Sequence, residues 1–185
     1  MKDSIILARI KAFAIDYLII LVYIGLLFVA TLFISRLSNA DLDDINTLTA
    51  ELIGFLTLTL PVIVYFSLTE AGKHAGSIGK RKYNLKVVTD KNDKANISRT
   101  LWRNIIKFLP WELAHFFVYQ LFYFSKTGID TPAWVLYGLV ATQAIAILYL
   151  LFILFGKRHR SVYELISSTK VIKATKEVVP LSERY

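Results

Sequence analysis

Three ionisable side chains stand inside runs that are otherwise apolar, and these are the residues whose placement points to chemistry. Asp16 lies within Phe13–Ile34, while Glu112 and His115 lie within Phe108–Phe124. A carboxylate at the centre of a membrane-crossing helix costs about 2.5–3.5 kcal/mol on insertion scales, so each needs a partner or a task. Asp16 reads either as a proton- or cation-binding group or as one end of a structural ion pair. Arg9 precedes it by seven residues on about the same helix face, which is roughly 10 Å of rise and too far for direct pairing. Each therefore looks elsewhere, and Arg160, Arg103 and Arg81 are the candidate partners of Asp16. Its cytoplasmic-side position, where snorkelling and water lower the cost of charge, favours the structural pair.

Glu112 and His115 are spaced i, i+3 and share a helix face with Phe108 and Tyr119. They suit a proton relay, or equally an interhelical hydrogen-bonded pair. An E-x-x-H pair is half of a di-iron bundle motif, but the second half is missing, so no metal is expected. Pro61 frees the carbonyl of Thr57, and Thr57, Pro61 and Tyr65 fall on one face; an ordinary packed kink is the simpler reading, a hinge or cation-ligating kink the sharper. Gln143 is a polar group in need of a partner, and Gly138, Thr142 and Ala146 form a small-residue stripe for close packing, within the chain or in a homodimer.

Gly79-Lys80-Arg81 is not a phosphate-binding P-loop, because His74 stands where the first glycine is required and no Ser or Thr follows Lys80. His74 and His159 lie in basic loops without metal-ligand neighbours and read as solvated. With zero Cys and no supported Ser/His/Asp arrangement, neither catalysis nor a cofactor is expected.

The elements that must position these groups are four apolar stretches, about 13–34, 52–68, 108–124 and 133–155, in a chain of 185 residues that is 55% hydrophobic with mean hydropathy +0.51. Each has about the length that a helix needs to cross a ~30 Å hydrocarbon core. Soluble helices of this number would read as amphipathic instead. Lys2, Arg9 and Lys11 resemble a signal-peptide n-region, but the following run is long and contains Asp16, so it reads as an uncleaved first helix.

The net charge of +8 is distributed unevenly. Of 22 basic residues, only Arg36 and Lys126 fall in the loops after the first and third stretches. The other twenty flank the opposite ends, ten of them between the second and third stretches. The positive-inside rule then puts both termini and segment 69–107 in the cytoplasm, with Asp41, Asp43, Asp44 and Glu51 outside. Omitting the third stretch on account of Glu112 and His115 would expose the seven basic residues of the tail to the outside, so four helices is the better count. Anionic headgroups are the natural partners of Lys80, Arg81 and Lys82. Nothing points to nucleic acid, for which a binding motif is lacking. Trp111, Trp134, Tyr23, Tyr65 and Tyr123 suit interfacial belts.

Within 69–107, the alternation at Tyr83–Thr89 followed by turn residues 90–96 predicts a short hairpin, with Ser98 as N-cap of the next helix. Thr169–Lys173 alternates too and would add a third strand.

Four blocks in order carry a family resemblance: Arg9-Ile-Lys-Ala-Phe-Ala-Ile-Asp16; Gly76-Ser-Ile-Gly79-Lys80-Arg81 leading into Leu85-Lys-Val-Val; Ser98-Arg99-Thr-Leu-Trp-Arg103-Asn104; and Arg160-Ser-Val-Tyr-Glu164-Leu-Ile-Ser-Ser-Thr169. Together they resemble the RDD family of small bacterial and archaeal membrane proteins, in which Asp stands at the place of Glu164. The resemblance implies a membrane domain for which transport, including sodium/proton exchange in some members, has been proposed.

The expectation is an all-α membrane protein of a prokaryotic plasma membrane, with four transmembrane helices and a small cytoplasmic β-hairpin cap in domain 1–175, followed by a tail at 176–185. Its expected role is movement or exchange of ions or small solutes, with Asp16, Glu112 and His115 handling ions or protons. Arg9, Arg81, Arg103, Arg160 and Glu164 would form a cytoplasmic charge network. Because four helices make a thin wall for a pathway, a homo-oligomer is expected. The alternative is a non-transporting assembly module that binds anionic lipid or a protein through its basic face.

Overall fold

A computed structural model of the chain describes residues 2–38, 45–156 and 159–174. The tail at 176–185 and the acidic residues Asp41, Asp43 and Asp44 lie outside the described residues. The first helix, α1 (Lys2–Ser38), is longer than the expected 13–34. Its first turns continue into the cap because Ala8 and Ala12, one turn apart, pack with Ile5 against a small β-sheet core of Leu85, Val87 and Val171. The next rod comprises α2 (Thr47–Gly54), a π-helical turn (Phe55–Thr59) and α3 (Leu60–Ala71).

A short helix, α4 (Ile78–Lys82), leads to β1 (Leu85–Thr89). Then come the long α5 (Ile97–Thr127), α6 (Ala133–Phe155), the short α7 (Val162–Ile166) and β2 (Thr169–Lys173). Asn96, not Ser98, caps α5 by accepting from the Arg99 amide at 2.9 Å. Gly128 ends it in the left-handed conformation, φ +69°.

Three helical segments have the length and apolarity to cross a bilayer: Ile5–Leu37, Thr47–Ala71 and Ala133–Phe155. With 31 residues, α5 has the length, but charged and polar side chains interrupt its apolar surface. It packs against both α3 and α6. Against α6, the Phe117 ring lies where a side chain at Gly138 would be, 2.1 Å from the Cβ position, so the small-residue stripe serves packing within the chain at this point. Thr142 is buried beside it, whereas Gln143 and Ala146 are exposed.

Pro61 and Pro110, both within helical runs, each leave a carbonyl without its helical donor, and a tyrosine from a neighbouring helix supplies one. The Thr57 carbonyl, freed by Pro61, accepts from the Tyr23 hydroxyl of α1 at 2.5 Å. The Ile106 carbonyl, freed by Pro110, accepts from the Tyr149 hydroxyl of α6 at 3.0 Å. Ahead of Pro61 the helix widens into the π turn, where the Leu60 amide reaches back five residues to Phe55. Tyr23 and Tyr65 therefore direct their hydroxyls inward, Tyr65 accepting from the Ile78 amide at 3.3 Å.

The expected hairpin is corrected. β1 pairs antiparallel with β2 over five residues, with Val87 opposite Val171. Segment 90–96 returns only as a single bridge between Val88 and Lys94. The returning arm is short because Ala95 is buried and Asn96 is already engaged in capping α5.

α4 lies directly on α1 at Gly79, where a Cβ would meet the Ala12 carbonyl at 2.1 Å and the Asp16 carboxyl carbon at 2.8 Å. Gly79→Ala should separate these helices and destabilise the folded protein by about 2 kcal/mol or more, in line with other overpacked sites. A fall in the thermal midpoint of detergent-solubilised protein checks this; an unchanged midpoint would show that the contact is easily relaxed.

Candidate functional site

Two polar clusters lie at opposite ends of the α3–α5 contact. The first sits at the cap and contains a buried carboxylate that the sequence reading does not single out, Glu70 at the end of α3, 0% exposed. Glu70 pairs with Lys80 at 2.9 Å and with Arg103 at 3.1 Å, and it accepts from the Asn104 amide at 3.2 Å. Arg103 reaches on to Glu164 at 3.2 Å and the Thr169 hydroxyl at 2.8 Å. Glu164 takes Arg9 of α1 at 3.3 Å with its other oxygen. That oxygen also accepts from the Ser161 amide at 3.1 Å, closing a capping box on α7. The longer Glu arm thus serves two arginines and a helix start together.

Arg9 also donates to the carbonyls of His159 and Val171, at 2.8 and 3.1 Å. The His159 ring is half-buried and 3.0 Å from the Ile153 carbonyl, so it is not the solvated loop histidine expected. Burial opposes the charge of Arg103, but Glu70 and Glu164 more than offset it and hold its pKa above the ordinary range. The guanidinium also lies 4.9 Å from the centre of the Tyr163 ring. Burial, reinforced by Glu164, pushes the Tyr163 hydroxyl up to about 12.

Asp16 does not pair with Arg160, Arg103 or Arg81. Its carboxylate, 4% exposed, accepts from the Ser77 hydroxyl at 2.5 Å and the Gly79 amide at 2.8 Å. The start of α4 offers unpaired amides, and the missing side chain at Gly79 lets them reach it. Arg160 instead pairs with Asp90 at 2.7 Å and donates to the carbonyls of Thr169 and Glu164, at 2.7 and 3.1 Å. Arg81 is exposed and outside the network, with no ion pair among the described residues.

The expected headgroup triad divides in the same way. Successive helical residues point about 100° apart, so Lys80 turns inward to Glu70 while Arg81 and Lys82 face out.

The second cluster surrounds the π turn. The Thr59 hydroxyl donates to Glu112 at 2.5 Å, and His115 Nδ1 lies 3.8 Å from the same carboxylate oxygen. Trp111 stacks edge-on against the His115 ring, with centres 4.8 Å apart. A cavity of about 70 Å³ is lined by Glu51, Gly54, Phe55, Leu58, Glu112, His115 and Tyr119. That is room for a few waters or a small cation among polar partners. Glu112 and His115 are thus brought together, while Asp16 belongs to the other cluster. Among the described residues, no three His, Asp or Glu side chains are grouped to hold a metal ion.

Apolar helices long enough for a bilayer, joined to a sealed polar cap, define a small helical membrane protein. The RDD family model matches residues 5–176, and the chain belongs to the RDD family. No curated protein and no solved structure matches it.

Glu70→Gln should leave Arg103 and Lys80 short of a buried counter-charge and cost about 3–5 kcal/mol, the usual result of breaking one side of such a pair. Thermal unfolding by size-exclusion profile measures it. Arg81→Gln, outside the network, should leave the same profile within about 0.5 kcal/mol of wild type.

Proposed function

We propose that this RDD protein is a four-span plasma-membrane transporter of ions or small solutes, with cation/proton exchange as its specific form. Both termini would lie in the cytoplasm. The observation that carries the reading is Glu112, held by Thr59 at a π-helical turn, beside His115 and a small, partly open cavity. Ionisable groups at membrane depth mark ion and proton paths, and π turns recur at functional sites. Asp16 is the cytoplasmic-side carboxylate of the same path, poised at the start of α4.

Chain geometry supports the fourth span. α5 starts at the cap and passes through a short loop into α6, whose far end returns to the cap. The Ser161 hydroxyl there donates to the Tyr149 carbonyl at 3.4 Å, tying α6 to α7. The two helices therefore cover similar depth in opposite directions. The skewed basic residues support the orientation. The outward surface of α1, apolar and exposed along Leu18, Val22, Leu26, Val29 and Phe33, suits lipid or another copy in a homo-oligomer.

A second reading draws on the completeness of the cap. The Asp16 carboxylate and its arginine-rich neighbours are held by internal partners, as in a rigid assembly module, with Arg81 and Lys82 free to meet anionic lipid.

Proteoliposome flux under pH and sodium gradients separates the two. Transport predicts that Glu112→Gln remains folded and loses about tenfold or more of the flux, and that Asp16→Asn loses both flux and stability. No flux from well-inserted wild type across the cations tested would favour the assembly module. The absence of native Cys makes topology directly testable. Asp130→Cys should react with an impermeant maleimide from outside, and Lys91→Cys only after permeabilisation; the reverse pattern would overturn the proposed orientation.

A further inference from the structure

Between the two clusters stands a charged group that neither uses. α3 and α5 meet in antiparallel register: Arg103 opposite Glu70, Lys107 opposite Phe66 and Glu112 opposite Thr59. Tyr119 lies opposite Gly54, its hydroxyl 2.7 Å from where a Cβ would be. Of the three charged α5 residues in this register, Arg103, Lys107 and Glu112, Lys107 is the one that faces an apolar side chain. Its ammonium lies 3.8 Å from the centre of the Phe66 ring and 4.8 Å from that of Phe108. Lys80 also approaches the Phe66 ring, at 5.3 Å.

Charge counting isolates Lys107 further. In the cap, Arg9, Lys80 and Arg103 are balanced by Asp16, Glu70 and Glu164, and Arg160 has Asp90. Lys107 is a surplus cation, and its ammonium makes no ion pair or hydrogen bond among the described residues. The charged groups facing it are Lys80 of α4, Glu70 of α3, Asp16 of α1 and Arg103 one turn earlier on α5. Both acids lie within hydrogen-bond reach of other donors. Ring faces attract a cation but cannot replace the hydrogen bonds that an ammonium loses on leaving water. Release of one proton therefore balances this paired set of charges and relieves repulsion from Lys80. Lys80 is paired with Glu70, and Arg103 cannot give its proton up.

We propose that Lys107 is the proton-exchanging residue on the cytoplasmic side of the α3–α5 seam, cycling between ammonium and neutral amine and passing one proton between cytoplasmic water and the Glu112–His115 cluster. The proton balance is one-for-one, R–NH3+ against R–NH2 plus H+. Lys107 precedes Glu112 by five residues, roughly 7.5 Å of rise and about 140° of turn, so the proposed transfer runs through water rather than by direct contact. Burial, with the Lys80 ammonium adding to it, pushes the Lys107 amine down to about 7. The part in transport rests on the proposed function; the titration does not.

The test uses full-length protein in nanodiscs, with lysine labelled by 13C at Cε and followed by NMR from pH 5 to pH 10. One resonance should titrate near neutrality and be absent from Lys107→Arg, while ordinary lysines titrate around pH 10. If Lys107→Arg fails to fold, Lys107→Gln serves for the assignment. In proteoliposomes, the folded variant should lose about tenfold of the proton-coupled flux and its pH dependence between 6 and 8. Absence of any lysine titrating below about 9 overturns the proposal whatever the flux. Wild-type flux and pH profile in Lys107→Arg also overturn it. A neutral titration at Lys107 in protein without flux upholds the proton site and overturns the transport reading instead.

Discussion

Arg103 occupies the position on which the cap depends. A guanidinium with 1% exposure cannot shed its charge, so every element around it has to supply an acceptor. Glu70 comes from the end of α3, Glu164 from α7 and Thr169 from the start of β2. Each acid then collects a second cation, Lys80 from α4 and Arg9 from α1. One buried charge thereby fixes the mutual positions of six segments, including three that are too short to be stable alone. α4 and α7 have five residues each and the sheet two strands, well below what isolated helices or hairpins need. A buried network of this kind gains little over an apolar core in net stability; its effect here is specification, because any other docking of α7 or β2 would orphan a charge.

The transmembrane half is organised by a different constraint. Each carbonyl freed by proline needs another donor, and here a tyrosine side chain from a neighbouring helix supplies it. Tyr23 on Thr57 ties α1 to the π turn, and Tyr149 on Ile106 ties α6 to α5. The prolines thus create the binding points as well as the irregularity. The π turn that precedes Pro61 carries Thr59 toward Glu112, so the backbone defect and the ionisable group are parts of one arrangement.

How much of this can be read from residues alone follows from the range of each interaction. Apolar length is a local property, and it locates the helices well, although α1 continues past its apolar run because Ala8 and Ala12 find the sheet. The charge network is legible only in part: Arg9, Arg103 and Glu164 are joined in it and Arg160 pairs with Asp90, but Arg81 faces out, and Glu70 and Lys80 take places that the sequence does not announce. Opposite charges suggest an arginine for Asp16, whereas the structure supplies Ser77 and a backbone amide, groups that carry no sequence signal of charge. Gly79 is the clue: a glycine at the start of a short helix permits such a close approach. Glu70 escapes notice because an acid at a helix end beside a basic loop looks like an ordinary solvated charge. Strand pairing is the least local property, and five ladder pairs with β2 prevail over the nearer hairpin arm.

The two clusters differ in a way that bears on their roles. At the cap, Glu70 and Glu164 each accept from several donors, and displacing one partner would leave buried charge uncompensated. Around Glu112, one short hydrogen bond from Thr59 is joined by a histidine at 3.8 Å, beyond hydrogen-bond distance, and by open volume. A saturated network resists a change of protonation, whereas an undersaturated one can accept a proton or cation without first breaking what it has. Flexibility of charge therefore belongs to the Glu112 end of the α3–α5 seam and rigidity to its cap end. Lys107 stands at their junction, close enough to the cap to feel its balanced charges and without an acceptor of its own. A proton gained there adds repulsion from Lys80 and Arg103 that Glu70 and Asp16, already engaged, offset only in part. Lys107 and Glu112 lie five residues apart on α5, so a change of charge at the one alters the field at the other without any motion of the helix.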